Sequence, residues 1–295
     1  MEKRPDWLKV RIPSGDTFFE VRRILQSHKL NTICEDAMCP NIAECWGTHR
    51  TATFMILGDI CTRACAFCAV TSGKPTELDL AEPARVAAAI AELRLRHAVI
   101  TSVDRDDLAD GGASVFADLV GQIRRCDPEV KIELLTPDFQ GSLEAVRLIV
   151  NAGPDIFSHN IETSRRLYPS IRFKSDYDTS FGLLKSAKQM NSQMFIKTGI
   201  MVGLGEETRE VLDIMRDAVS AGVDIFTIGQ YLRPSAKHAE IRRYYHPDEF
   251  AEFREFGKRL GLRWVFAGPL VRSSYHAEDV FSQATAVTTP GVHGR

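Results

Sequence analysis

The stretch TFMILGDICTRACAFC, Thr53 to Cys68, joins an apolar run of strand type directly to three thiols. A short apolar run bounded by glycine reads as a buried strand. Cys61, Cys65 and Cys68 follow at its C-terminal end, where ligands of parallel α/β sheets and barrels collect. Their C-x3-C-x2-C spacing lets one short loop wrap three thiolates around a single inorganic centre.

Downstream of Cys68 the chain alternates strand-like runs with helical patterns. The strands are AVITSV from Ala98, KIELLTP from Lys131, IFSHNI from Ile156, MFIKTGIMVG from Met194 and IFTIGQYL from Ile225. Between them Val86, Ala89, Ile90 and Leu93 fall on one helix face, as do Phe116, Leu119, Val120 and Ile123, and Val211, Ile214, Met215 and Ala218. Such alternation indicates βαβ units and a parallel sheet. Six units are followed by one more strand-like run, RWVFAGPL. Eight would close a complete barrel, so the fold class is α/β, a partial (β/α)6 TIM-like barrel, with an open doubly wound sheet as the alternative. Residues 1–50 read as an N-terminal extension, 51–270 as the barrel and 271–295 as a C-terminal extension.

Six of the seven cysteines lie in two triplets; Cys34, Cys39 and Cys45 form the first, spaced C-x4-C-x5-C. Structural zinc takes four protein ligands, usually in two C-x2-C pairs, and only Cys65 and Cys68 form such a pair. A [4Fe–4S] cluster held by three cysteines keeps one iron open for a small molecule or a distant side chain. Two triplets therefore imply two clusters. Cys126, near the end of a helical run, reads as a small buried hydrophobe.

Composition sets the remaining bounds. Of 295 residues 44 % are hydrophobic and 26 % charged, and 37 basic against 39 acidic residues give a net charge of −2. That is ordinary globular composition, without the broad cationic surface that nucleic acid or anionic lipid requires. No apolar run approaches the ~18 residues of a membrane span, and no apolar segment follows the basic N-terminus. The expectation is a cytoplasmic enzyme with reduced thiols and neither nucleic acid nor membrane as partner.

CTRACAFC after the first strand, CEDAMCPNIAECW upstream of it and GPLVRSSYHAED from Gly268 together resemble the lipoyl synthases of the radical S-adenosylmethionine superfamily. The likeness runs from about Trp7 to Asp279; nothing after about Val280 takes part. The resemblance implies that Cys61, Cys65 and Cys68 hold a radical-generating [4Fe–4S] cluster whose open iron takes S-adenosylmethionine. Cys34, Cys39, Cys45 and Ser274 would hold an auxiliary [4Fe–4S] cluster, used as the sulfur source. The implied reaction inserts sulfur at C6 and C8 of an octanoyl chain on a lysine of a carrier protein, a dehydrogenase lipoyl domain or a glycine-cleavage H protein. A low-potential donor such as ferredoxin or flavodoxin would supply electrons. A biotin-synthase-like enzyme or a non-catalytic iron–sulfur carrier would share only part of this pattern.

Other residues carry weaker signals. Gly111 and Gly112, in DLADGGA, resemble the superfamily's glycine-rich stretch near the methionine amino group, or form a flexible turn into a helix. Asn160 and Glu162, in SHNIET, are placed to bond the ribose or methionyl part of S-adenosylmethionine. GIMVGLGE, Gly199 to Glu206, lacks the Lys-Ser/Thr of a phosphate loop and reads as a turn near the adenine. His159 and His276 read as hydrogen-bonded structural histidines, and REFGKRLGLR as a solvated helix face.

Overall fold

The computed structural model describes residues 4–10, 12–49 and 51–274. Its strands are β1 (Asn31–Thr32), β2 (Thr53–Ile56), β3 (Ile60–Cys61), β4 (Thr71–Ser72), β5 (His97–Ser102), β6 (Lys131–Leu135), β7 (Ile156–Ser158), β8 (Phe195–Val202), β9 (Ile225–Gln230) and β10 (Trp264–Gly268). The main sheet runs β1-β2-β5-β6-β7-β8-β9-β10 and so has two ends. All its neighbours from β2 to β10 are parallel, and β1 pairs antiparallel with β2. Three short helices and one long one precede or flank this frame: α1 (Asp16–Ser27), α2 (Ile33–Asp36), α3 (Ile42–Gly47) and α7 (Tyr168–Ile171). The crossovers are α4 (Glu82–Leu93), α5 (Ala113–Cys126), α6 (Leu143–Ala152), α8 (Tyr177–Met190), α9 (Thr208–Ser220) and α10 (Pro247–Leu260). Six βα units with a seventh parallel strand make the partial (β/α)6 barrel.

The apolar faces read from α4, α5 and α9 are all buried. The N-terminal extension shares their core: α1 buries Phe18, Val21, Ile24 and Leu25, and Phe18 lies 5.2 Å from the Trp46 ring of α3. Among the described residues no helix is long and apolar enough to cross a membrane.

Several strands stop earlier than their apolar runs. β2 ends at Ile56 because Leu57 and Gly58 take left-handed φ values of 69° and 88°, turning the chain toward the cysteine loop. β7 ends at Ser158, after which His159 still donates to the Lys197 carbonyl of β8 and Glu162 makes an isolated parallel bridge to Ile200. Cys126 is exposed, contrary to the buried role expected of it: its phase matches the inner face of α5, but the helix ends there and no wall covers it.

Candidate active site

A cavity of about 300 Å³ is lined by the C-terminal ends of β5, β6, β8 and β9. Cys61, Cys65 and Cys68 line it from one segment, Cys39 from another, and Ser273 and Ser274 from the far end of the described chain. Cys34 and Cys45 lie buried behind Cys39 in the core. Residues of both triplets thus face one space. A second cavity, of about 410 Å³, is lined by Arg105, Gly111, Phe139 and neighbours and by no cysteine.

The second-triplet loop is pinned at its base, where β3 pairs with β4 and the Gly73 N–H donates to the Cys61 carbonyl at 2.9 Å. Its middle is held by Arg63, whose guanidinium bonds Asp138 at 2.6 and 2.7 Å and Asp106 at 2.7 and 2.8 Å, with Asp104 3.4 Å away. Burial opposes the Arg63 charge, but these carboxylates outweigh it and keep the group firmly cationic. Burial likewise acts to raise the Asp138 carboxyl, yet Arg63 holds it down at about 2. The Cys61 sulfur accepts N–H groups of Arg63 and Asp104, each at 3.4 Å. An arginine inside C-T-R-A-C, with D-R-D-D after the next strand, was the available sequence signal for this brace.

Burial pushes the thiols upward: Cys61 to about 11, Cys34 and Cys68 to about 12, and Cys39, Cys45 and Cys65 also above the ordinary value. Within each triplet the sulfurs also disfavour one another's ionisation, so each set is a local group. Such thiols give up protons when a cationic centre replaces them. Among the described residues no three His, Cys, Asp or Glu side chains converge on one point. A cubane does not require that, because each cysteine binds a different iron. Two sets of soft, clustered, non-disulfide donors fit iron–sulfur chemistry.

The C-terminal segment is tied over the cavity from both sides. Asn41, in the first-triplet loop, donates to the Leu270 carbonyl at 2.8 Å, and Asn160 donates to the Ser273 hydroxyl at 3.2 Å. Gly229 permits the crossing, since a Cβ there would stand 1.9 Å from the Val271 carbonyl oxygen. Arg272 lines the same cavity as Cys39 and Glu162, and its charge acts on both.

Asn160 and Glu162 both line the cavity, and Asn160 Nδ2 bonds Glu162 Oε1 at 3.0 Å. The Asn160 Oδ1 is buried without a partner, an acceptor facing a polar neighbourhood. Arg172, which the sequence reading passed over, also lines the cavity and bonds the Asn160 carbonyl at 2.7 Å. Gly111 and Gly112 do not line this cavity, and Gly111 borders the second one instead. They form the turn into α5 at φ 60° and 89°, where Cβ atoms would meet Phe139 at 2.9 Å and Leu57 at 2.3 Å. In GIMVGLGE, Gly199 and Met201 line the cavity, while the Glu206 carboxylate takes the N–H groups of Gly203 and Leu204 at 2.6 and 2.9 Å. A carboxylate already fills the place a phosphate would need. REFGKRLGLR ends α10 with Gly257 inward and Lys258 paired with Glu255 at 2.9 Å outside. His276 lies outside the described residues.

His159 borders the cavity but is bonded on both ring nitrogens, to the Thr136 carbonyl at 2.8 Å and the Ser180 hydroxyl at 3.2 Å. Burial, with the Arg172 charge second, lowers it to about 4. The unfolded chain therefore binds a proton here before the folded one does, and stability is lost as pH falls from about 6.5 to about 4. Urea unfolding should show His159→Gln losing about 2 kcal/mol less than the parent between pH 7 and pH 5. Equal losses would contradict this assignment.

Residues 55–218 match the model of the Radical SAM superfamily, more than half the chain. The lipoyl synthase of Rubrobacter xylanophilus is 53 % identical over 276 residues, covering 94 % of this chain and 86 % of that protein. The lipoyl synthase of Bacillus subtilis is 48 % identical over 283 residues, covering 96 % and 95 %. Among solved structures, Streptococcus suis SuiB bound to the precursor peptide SuiA superposes with a TM-score of 0.57 at 11 % identity, covering 92 % of this chain and 60 % of that one. That likeness concerns the fold. Radical SAM membership brings with it a [4Fe–4S] cluster and S-adenosylmethionine. With a barrel of this topology, thiols at its mouth and near-full-length identity of about half, the chain belongs to the lipoyl synthases of the radical SAM superfamily.

Proposed function

We propose that this chain inserts two sulfur atoms, at C6 and C8, into an octanoyl group carried on a lysine of a dehydrogenase lipoyl domain or a glycine-cleavage H protein. Cys61, Cys65 and Cys68 hold the radical-generating cluster, and Cys34, Cys39, Cys45 and Ser274 hold the auxiliary one. When bound, the first cluster with S-adenosylmethionine supplies a radical able to take hydrogen from an unactivated C–H bond, and the second supplies sulfur. Asn160 and Glu162 orient S-adenosylmethionine by hydrogen bonds at the end of β7; Gly111 and Gly112 support that site through the α5 turn behind it. The Arg63 brace fixes the thiol loop. Apolar wall residues such as Met55, Val103 and Ile200 accept the alkyl chain and keep water from it. A ferredoxin or flavodoxin in the cytoplasm supplies the electrons.

The observation that carries this reading is the shared cavity: a sulfur donor and a radical source acting on one short chain must face one space, and residues of both triplets do. Anaerobic incubation with an octanoyl-lysine peptide, read by mass, tests it. The peptide should gain two sulfurs and lose two hydrogens, while free octanoate stays unchanged. Equal turnover of free octanoate would favour a small-molecule enzyme of the biotin-synthase kind.

Ser273 accepts from Asn160 at 3.2 Å and Ser274 lines the cavity; Ser274 is taken as the ligand because it stands at the matching position of the family's terminal motif. An oxygen ligand binds iron less tightly than a thiolate, which suits a centre that must release sulfur. Ser274→Ala should still cleave S-adenosylmethionine but yield less than about a tenth of the lipoyl product, a loss of more than about 1.4 kcal/mol at the barrier. Ser273→Ala should be milder. Parental yield from Ser274→Ala, measured by mass, would remove Ser274 from the ligand set.

A further inference from the structure

We infer that a small acidic one-electron redox protein docks on the surface formed by residues 171–174 and 233–239, against the outer side of the Cys61–Cys68 loop. The inference rests on the reading above, in which that loop holds the radical-generating cluster.

Two segments clasp the loop from outside. The Ala66 N–H donates to the Ile171 carbonyl at 2.9 Å, the Lys174 ammonium to the Thr62 carbonyl at 2.9 Å, and the Ala239 N–H to the Ala66 carbonyl at 2.7 Å. Beneath them Ile171, Tyr231, Phe67 and Ala239 pack together, so both segments are fixed relative to the thiols. Ala64, between Cys61 and Cys65, is exposed. The loop backbone therefore reaches the molecular surface within a residue of a ligand.

The charge of this surface departs from that of the whole chain. From Ser164 to Ser175 there are four cationic residues and no carboxylate, and from Leu232 to Arg243 four cationic residues and one carboxylate, in a protein of net charge −2. Arg165, Arg166, Arg242 and Arg243 are balanced by Asp178, Glu210, Glu240 and Glu249. Lys174 and Arg233 bond only backbone carbonyls, and Lys237 has no carboxylate within ion-pair distance among the described residues. Phe173, adjacent to Lys174 in the chain, is 57 % exposed. An exposed aromatic next to a lysine, on a surface whose cations lack carboxylate partners, has the makeup of a transient contact steered by charge. A carrier's lysyl arm must enter the cavity itself, whereas an electron needs only close approach to the thiol loop from outside. The partner that suits this surface is the electron donor.

The step balances with one electron per S-adenosylmethionine. The reduced donor is oxidised by one electron, the sulfonium C–S bond breaks, and methionine sulfur keeps a lone pair. The 5′-carbon keeps the unpaired electron and takes a hydrogen atom from substrate.

The test compares two reductants on the reconstituted full chain, with 5′-deoxyadenosine as readout. In Phe173→Ala/Lys237→Glu the KM for a reduced flavodoxin should rise about tenfold at low ionic strength, and the difference from the parent should shrink at high salt. With dithionite the rate should stay at the parent level. Lys237→Glu alone, which breaks no bond to the loop, should raise the flavodoxin KM about threefold. The inference is overturned if flavodoxin and dithionite rates fall together, if neither changes, or if only the KM for an octanoylated carrier protein rises. Failure of the parent chain to cleave S-adenosylmethionine with dithionite would instead overturn the assignment of the cluster loop.

Discussion

Replacing Cys65 with Ala should bring S-adenosylmethionine cleavage and lipoyl product below about a thousandth of the parent level together, because no side chain can substitute for a radical source. Cys65 is the middle thiol of a loop braced by Arg63, and it lines the cavity. Cys39→Ala should behave differently. It touches the other triplet, so reductive cleavage should stay within about threefold of the parent while sulfur insertion disappears. The parent should hold about eight irons per chain, and each variant about four if the damaged triplet loses its cluster. Chromatography of deoxyadenosine and peptide products, with iron analysis, separates the cases. Equal loss of cleavage in both variants, with the untouched cluster retained, would show that the triplets do not divide the work.

The second large effect lies at the barrel floor. The Lys197 ammonium stands 2.8 and 2.9 Å from the two Glu133 oxygens, with His97 at 3.7 Å, and both ion-pair side chains are wholly buried. Such a pair contributes little relative to apolar residues of equal volume, but removing one partner strands a charge. Lys197→Met should cost about 3 to 5 kcal/mol of folding stability. Glu133→Leu/Lys197→Met should recover much of that loss, since nothing charged remains to desolvate. Urea unfolding of the three proteins decides it. A Lys197→Met protein within about 1 kcal/mol of the parent would mean that water or local rearrangement solvates Glu133.

Much of this molecule is legible in its residues because the informative signals are local. TFMILG followed by thiols marks the first barrel strand, and the faces of α4, α5 and α9 follow from a 3.6-residue period that the core honours at every named position. Where local signals end, the reading loses detail. IFSHNI looks like one strand, but continuous pairing ends at Ser158: Glu162 takes φ 66°, the Ile161 and Glu162 N–H groups share the Gly199 carbonyl, and Glu162 makes only an isolated bridge to Ile200. Gly111 and Gly112 share their appearance with a ligand-binding turn, yet Phe139 and Leu57, far away in sequence, are what exclude a Cβ there. Arg63, Arg172 and Arg272 acquire meaning only when Asp138, Asn160 and Cys39 are brought beside them. Lys197 and Glu133, 64 residues apart, give no sequence sign of their pairing.

A sulfur source and a radical source that face one cavity should deliver both sulfurs to one chain from the protein's own cluster. Reconstituting the protein with heavy-isotope sulfide, removing free sulfide, and running a single anaerobic turnover on an octanoyl-lysine peptide tests it by mass. The expected product is a lipoyl peptide in which both sulfur atoms are heavy. A product carrying sulfur of natural mass, drawn from elsewhere in the mixture, would contradict it.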